Sequence, residues 1–278
     1  MKIAISAEST IDLSQELLDK YNIKTTPFTI NMGDNLVEDR IGISKEIFEF
    51  VDESKKLPKT SAVSPDQFKT HFENLLKEYD AIVHISLSSL MSSAYNNAVS
   101  AAKDMENVFV VDSKSLSTGI ALLAIKGREL ADDRHTAQEI YDILNATTEK
   151  VEAGFVLEKL NYLYKGGRCS ALTLLGANLL KIKPQIIVEK GKMILGKKYM
   201  GGMTKVVEKY IDDLLVANHN PILDYVFITH SSPMPDAEAL LTQKLQERGF
   251  KNIYNTYAGG TVSSHCGPNC IGVLFINK

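Results

Sequence analysis

The chain has 278 residues, and its 31 basic against 34 acidic residues give a formal net charge of −3. This balance argues against a dedicated nucleic-acid-binding protein, which usually has a strongly basic domain, and 44% hydrophobic residues exclude a mainly disordered chain. The charge is distributed unevenly. Residues 165–205 hold eight lysines and one arginine against one glutamate, a net +8, which leaves −11 for all other residues.

Features that would direct the chain to a membrane or out of the cell are not evident in the sequence. No apolar run approaches the roughly 18 residues of a membrane span. The N-terminal sequence reaches Glu8 before the apolar core of a signal peptide could form. Cys169, Cys266 and Cys270 are odd in number and do not follow a disulfide-scaffold pattern. These observations predict a cytoplasmic protein.

The first half of the chain alternates strands with helices. Strands are predicted at 2–6, 24–31, 81–87 and 108–111, a loop at 56–65, and helices starting near Ser9, Ser44, Pro65 and Ser92, with two more before residue 150. This alternation favours right-handed crossovers and a parallel sheet. Ligands of such sheets bind at the carboxyl ends of the strands. Those ends carry small polar residues, at 6–10, 86–93 and 112–115.

The second half has a different pattern, in which a hairpin interrupts the strands and helices. Two apolar helices are predicted around a loop at 165–168. The further strands are predicted at 154–157, 185–188, 192–198, 225–229, 252–257 and 271–276, and the further helices at 204–218 and 236–248. A hairpin at Gly191 within an α/β pattern favours a mixed sheet. We place a domain boundary near 150–160.

Two familiar motifs are nearly present but incomplete. Residues 191–198 approach the phosphate-binding pattern G-x-x-x-x-G-K-[ST], but Lys198 stands where a hydroxyl is required, and the segment is better explained as a hairpin. His265, Cys266 and Cys270 are close together, but a structural zinc site needs four ligands and no second pair is evident. The sequence therefore predicts neither a nucleotide cofactor nor a metal.

Hydroxyl-bearing residues are the strongest binding candidates. The serine-rich turn at 86–93, which includes Ser92 and Ser93, ends a strand and opens a helix. Free backbone amides and the positive end of a helix dipole favour an anion there. Thr60 and Ser61 offer similar chemistry from a loop. Helix capping is the alternative, and it explains only one or two of these hydroxyls.

Two further candidates lie in the second half. Arg168 follows the double glycine Gly166-Gly167 at the start of the basic segment, which favours an acidic partner or a phosphoryl group; a solvated arginine in a turn is the alternative. His265 lies among glycines and serines, where apolar packing is scarce. The sequence leaves open whether this histidine faces a ligand or is satisfied within the fold.

Several short segments, in the same order along nearly the whole chain, are similar to motifs of a single family. They are residues 8–13 (Glu-Ser-Thr-Ile-Asp-Leu), 59–65, 90–95 (Leu-Met-Ser-Ser-Ala-Tyr), 111–114, 160–168, 182–184 and 265–268 (His-Cys-Gly-Pro). With these segments the chain resembles the DegV family of bacterial fatty-acid-binding proteins. The resemblance implies a three-layer α/β/α domain with a parallel sheet (1–155) and a two-layer α/β domain with a mixed sheet (156–278). A ligand tunnel would lie between them.

The resemblance also implies a ligand and its site. One long-chain fatty acid would occupy the tunnel, with no other cofactor. Its carboxylate would be bound by Thr60 and Ser92, with Ser61, Ser93 and His265 beside them.

The same resemblance implies partners. The bound carboxyl group would be presented to a kinase related to dihydroxyacetone kinases, which forms the acyl phosphate, with Arg168, Gly166 and Gly167 facing the phosphoryl group. The chain would be a carrier and not the catalyst. Transient contact with a membrane would serve lipid exchange, and no nucleic acid would be bound.

The chain departs from the family pattern at three places. Glu8 replaces the usual Asp, Ser93-Ala94 replaces Gly-Thr, and Met200 is taken to replace an Arg at the end of the hairpin. Ser93 is bulkier than Gly where backbone amides would approach the head group, so affinity or chain preference is expected to differ.

A different class of function remains open from the residues alone. A serine-based hydrolase or phosphotransferase acting on a small acyl or phosphoryl substrate would use Ser92 or Ser9 as nucleophile and His265 as base. Such a site requires a third group that orients the base, for which Asp112 is the candidate.

Overall fold

A computed structural model describes residues 1–169, 182–217 and 220–278. The strands are β1 (Ile3–Glu8), β2 (Ile23–Thr26), β3 (Thr29–Met32), β4 (Asn35–Glu38), β5 (Lys59–Ser61), β6 (Ala81–Ser86), β7 (Val108–Asp112), β8 (Val151–Val156), β9 (Lys183–Glu189), β10 (Lys192–Tyr199), β11 (Pro221–His230), β12 (Asn252–Tyr257) and β13 (Ile271–Asn277). The α-helices are α1 (Gln15–Lys20), α2 (Ser44–Ser54), α3 (Pro65–Leu75), α4 (Ala94–Ala102), α5 (Thr118–Asp132), α6 (Ala137–Thr147), α7 (Asn161–Gly166), α8 (Met203–Val216), α9 (Pro235–Arg248) and α10 (Gly260–Cys266).

The first sheet has the order β2-β1-β6-β7, and all its strands are parallel. Successive residues of a strand point to opposite faces. In β1, the Ile5 side chain lies close to Gly127 of α5, whereas the Ser6 hydroxyl is hydrogen-bonded to His71 of α3. Helices α3 and α5 therefore cover opposite faces, and the predicted three-layer arrangement is confirmed.

The second sheet is mixed, as predicted, with the order β10-β9-β8-β13-β11-β12. Among the described strands of this sheet, β11 and β12 pair in parallel and the other neighbours are antiparallel. Helices α8 and α9 pack on each other and on this sheet. The predicted division into 1–155 and 156–278 stays a prediction; its boundary falls within β8, which pairs with β9 and β13.

Helix α5 lies between the two sheets. It contacts β1 and β6 of the first sheet and β8, β11 and β13 of the second. Its residues 118–125 are all buried, which explains why this stretch is apolar all around rather than along one stripe. The two sheets therefore share one hydrophobic core through this helix.

Some local predictions from the sequence were wrong. The segment 56–65 is not only a loop, because β5 pairs with β3 in a small antiparallel sheet, β4-β3-β5. The first helix begins at Gln15, capped by Ser14; Ser9 instead starts a short 3-10 turn, and its hydroxyl donates to Asp39. Helix α10 was not predicted at all.

Two predictions fall partly outside the described residues. One is the second of the two apolar helices expected around 165–168, whose residues are outside the described ranges. The other is the basic segment, of which Lys181 is outside them. Among the residues that the structure describes, no helix has both the length and the apolar character needed to cross a membrane.

Candidate functional site

A cavity of about 180 Å³ opens where the carboxyl ends of β1 and β6 face β5, α10 and the hairpin β9–β10. Its wall is largely apolar and includes Phe28, Leu87, Met91, Leu116, Met193 and Val262. Among the described residues, its polar lining consists of Thr10, Thr60, Ser92, Ser93, Arg168, Thr261 and His265. Both halves of the chain thus contribute to one cavity that is apolar along most of its wall and polar at a few points.

Thr60 and His265 meet in this wall although 205 residues separate them. The Thr60 hydroxyl lies 2.9 Å from His265 Nε2. Burial, and then the positive charge of Arg168, lower the pKa of His265 to about 4, so the ring is neutral at neutral pH. A neutral imidazole has one donor and one acceptor nitrogen. When His265 Nε2 carries the proton, it donates a hydrogen bond to the Thr60 hydroxyl oxygen. The hydroxyl proton of Thr60 is then free to donate to a carboxylate.

Ser61 follows Thr60 in β5 but has a different environment. Adjacent strand residues point to opposite sides; Thr60 lines the cavity, whereas Ser61 is exposed and is not part of the lining. The structure therefore brings Thr60, and not Ser61, to the cavity.

The turn between β6 and α4 supplies the other hydroxyls. The Ser92 hydroxyl oxygen accepts a hydrogen bond from the Ala94 amide at 3.2 Å. Its proton therefore remains free to donate into the cavity. Ser93 also lines the cavity but is exposed. Ser92 is thus the better-placed hydroxyl donor of the two.

The double glycine at the C-terminal end of α7, Gly166 and Gly167, has a specific structural role beside His265. A Cβ on Gly166 would lie 2.5 Å from His265 Nδ1, closer than such atoms approach. Gly167 has φ 70°, the left-handed conformation at the helix end. Neither glycine lines the cavity; Gly166 makes room for the ring that does.

Arg168 lies at the exposed edge of the cavity. Its guanidinium donates to the Gly166 carbonyl at 2.6 Å. This bond directs the arginine back along the end of α7, where it lies near His265. A cation is therefore placed at the solvent side of the polar group formed by Thr60 and His265.

Sequence reasoning did not identify Thr10 and Thr261 as cavity residues. Thr10 is fully buried, and its hydroxyl has no hydrogen-bond partner among the described residues. The available signals were its position in the segment 6–10, at the carboxyl end of β1, and in the motif 8–13. Thr261 lies on α10, a helix that the sequence did not predict.

The residues of the alternative hydrolase site do not assemble into a triad in the described part of the chain. Asp112 accepts from the amide and hydroxyl of Ser89 and from the Lys114 amide, and His265 Nδ1 has no partner among the described residues. The hydroxyl of Ser9 donates to Asp39. In the part of the chain that the structure describes, the base proposed for this reaction thus has no orienting group.

Within residues 1–169, 182–217 and 220–278, no group of three or more His, Cys, Asp or Glu side chains could hold a metal ion. Cys266 and Cys270 are buried free thiols, and Cys266 is part of the cavity wall.

Comparison with known proteins agrees with this fold. A family model described as the DegV family matches residues 2–278. A DegV domain-containing protein of Clostridium acetobutylicum is 32% identical, covering 100% of this chain and 99% of the relative. A Thermotoga maritima protein described as revealing a fatty acid binding function has a TM-score of 0.86 at 27% identity over all of both chains. The fatty acid kinase B3 protein of Streptococcus pneumoniae, loaded with linoleic acid, shares the fold, with a TM-score of 0.82 at 23% identity over all of both chains. The chain belongs to the DegV family.

Proposed function

We propose that this protein binds one long-chain fatty acid in its cavity and presents the carboxyl group to a partner kinase, which forms the acyl phosphate. The observation that carries the proposal is the grouping of two hydroxyls, Thr60 and Ser92, with the neutral His265 and the cation Arg168 in one largely apolar cavity.

The chemistry of a fatty acid matches both parts of this wall. Burying a carboxylate without partners costs several kcal/mol, and charge-assisted hydrogen bonds from hydroxyls offset that cost. The hydrocarbon chain would lie against Phe28, Leu116 and Met193, where its removal from water is favourable by about 0.8 kcal/mol per methylene. A ligand that has only a carboxylate, or only a hydrocarbon chain, would match only part of this wall.

The relatives support the ligand and the partner. The Thermotoga maritima protein is described by its fatty acid binding, and the Streptococcus pneumoniae protein bears the name of a fatty acid kinase component. The lack of an intact nucleotide motif in the sequence supports a carrier whose ATP is bound by the partner. We further propose a cytoplasmic location, a partner related to dihydroxyacetone kinases and transient membrane contact for lipid exchange.

Arg168 is proposed to act in the transfer rather than in holding the fatty acid. It is exposed at the edge of the cavity, where an incoming phosphoryl group would approach. Gly166 and Gly167 allow the tight end of α7 from which it extends. Arg168→Ala should retain fatty-acid binding while acyl-phosphate formation by the kinase falls; an equal loss of both would contradict this role.

The ligand is tested by mass spectrometry of the purified protein under native conditions. We expect one fatty acid per chain, released on denaturation.

Thr60→Val and Ser92→Ala should each weaken fatty-acid binding by about 1–3 kcal/mol, because the buried carboxylate loses a donor. Ser61→Ala is the matched control, since Ser61 is exposed beside Thr60, and it should bind normally. A ligand-free protein that hydrolyses esters, or two cavity variants that bind like the control, would overturn the proposal.

A further inference from the structure

Glu8 is a fully buried carboxylate at the carboxyl end of β1. Three groups approach it. The Ser86 hydroxyl donates to Oε1 at 2.5 Å, the Leu87 amide donates to Oε2 at 3.0 Å, and His84 Nε2 lies 3.3 Å from Oε1. Each of these groups belongs to β6 or to the residue that follows it. Glu8 therefore binds the chain at the point where β6 leaves the sheet.

A line of hydrogen bonds continues from His84 to the outer face of the sheet. His84 Nδ1 lies 3.1 Å from the Ser6 hydroxyl, which lies 2.7 Å from Nε2 of His71 on α3. The rings of Phe68 and Phe72 enclose His84 on this side. Burial, and to a smaller extent electrostatic repulsion from His84, lower the pKa of His71 to about 4. His71 is therefore neutral at neutral pH.

His84 donates to Glu8 in every arrangement of protons that satisfies this line when Glu8 is ionised, because an ionised carboxylate can only accept. With a neutral His84 ring, Nδ1 accepts from the Ser6 hydroxyl and Ser6 accepts from His71 Nε2. With a protonated ring, Nδ1 donates to Ser6 and Ser6 donates to His71 Nε2. In both arrangements, neighbouring bonds polarise and strengthen one another.

The turn that Glu8 holds is the one that carries the cavity hydroxyl. Leu87 lines the cavity, and Ser92 follows at the end of the same turn. A second carboxylate, Asp112 at the end of β7, holds the turn from the other side by accepting from the amide and hydroxyl of Ser89. Parallel strands that end together place these two carboxylates on either side of the β6 turn.

We propose that Glu8, supported by His84, Ser6 and His71, is a positioning residue that fixes the turn 86–92 and so directs the Ser92 hydroxyl towards the head group of the ligand. This inference rests on the proposed fatty-acid binding. It assigns a function to the buried glutamate that stands where related sequences are expected to have an aspartate.

The test compares two ligands that differ only in the head group, tetradecanoic acid and tetradecanol, in the chain of 278 residues. Glu8→Gln puts an amide donor among groups that already donate. We expect it to weaken binding of the acid about tenfold, the effect of losing one hydrogen bond to a charged group, while alcohol binding changes less than twofold. Glu73→Gln, the same substitution at an exposed position of α3, is the matched control and should change neither.

A second variant guards against poor folding of Glu8→Gln. His71→Phe removes only the outer end of the line, beside Phe68 and Phe72, and should weaken acid binding in the same selective way by a smaller factor. Equal losses for acid and alcohol, or no loss in either variant, would overturn the inference. If the wild-type protein bound neither ligand, the proposed function would fail. Hydrogen exchange at the 87–92 amides would then decide the inference, which predicts faster exchange in Glu8→Gln.

Discussion

Two adjacent glycines, Gly166 and Gly167, are required for different structural reasons. In the sequence they suggest a flexible turn. In the structure Gly167 adopts a left-handed conformation with φ 70°, whereas Gly166 has ordinary helical geometry and no side chain because the His265 ring occupies that space. The first requirement is a backbone property that glycine commonly signals. The second depends on a histidine about a hundred residues away.

The close approach of Gly166 and His265 gives a prediction at this scale. Gly166→Ala should displace the His265 ring, because the new Cβ would lie 2.5 Å from Nδ1. The Thr60–His265 hydrogen bond should break, and fatty-acid affinity should fall about fivefold to tenfold, the effect of losing about one hydrogen bond. Isothermal titration of the purified variant measures this change.

Gly202→Ala is the control, since a Cβ there meets nothing within 4 Å. A Gly166→Ala protein that binds as tightly as this control would show that His265 does not need its observed position.

At the scale of elements, α10 is the least expected part of the fold. Its seven residues include glycine, serine and threonine, which are poor helix formers. Two buried carboxylates hold its first turn: Asp12 accepts from the Gly259 amide at 2.8 Å and Asp39 from the Gly260 amide at 2.6 Å. The helix is therefore stabilised by residues from the first half, and it carries His265 at its other end.

Asp39→Asn should weaken this arrangement. The Ser9 hydroxyl accepts from the Phe28 amide and donates to one oxygen of Asp39, and the Gly260 amide donates to the other. An asparagine replaces one of these oxygens by an NH₂ group, which would face a donor from Ser9 or from Gly260. We expect the free energy of unfolding to fall by about 1–3 kcal/mol, measured by urea denaturation. Asp34→Asn, at an exposed position, provides the baseline. Equal stability of the two variants would refute the role given to Asp39.

At the scale of the whole molecule, folding joins two sheets that share α5 and enclose one cavity. Burial favours neutral side chains across this core. It lowers the pKa of both His71 and His265 to about 4, against about 6.5 in an unfolded chain. Between these two pH values the unfolded state binds more protons than the folded state.

Stability should therefore contain a histidine contribution that is fully present above pH 6.5 and is lost as the pH falls towards 4. His265→Gln removes its share. The difference in free energy of unfolding between wild type and variant should stay constant above pH 6.5. As the pH falls from 6.5 to 4, the free energy of unfolding of the wild type should decrease relative to that of the variant. The total decrease should be roughly 1.4 kcal/mol for each pH unit between the unfolded and folded pKa values of His265. Urea denaturation from pH 4 to 8, without ligand, measures this; a difference independent of pH would contradict it.

The sequence by itself determined the broad plan. The alternation of apolar strands and helices specified the parallel sheet, and the glycine hairpin specified the mixed one, because hydrophobic periodicity is a local property of the chain. The order of short motifs indicated the family, and those motifs contain Thr60, Ser92 and His265.

Only the tertiary structure decided how these residues meet. It made β5 a strand by pairing it with β3, made α10 a helix through Asp12 and Asp39, and placed Thr60 against His265 across 205 residues. It also separated Thr60 from Ser61, and gave Gly166 and Glu8 their roles. Each of these outcomes depends on contacts between residues far apart in the chain, and no local pattern of propensity or periodicity records which distant side chain will fill a given space.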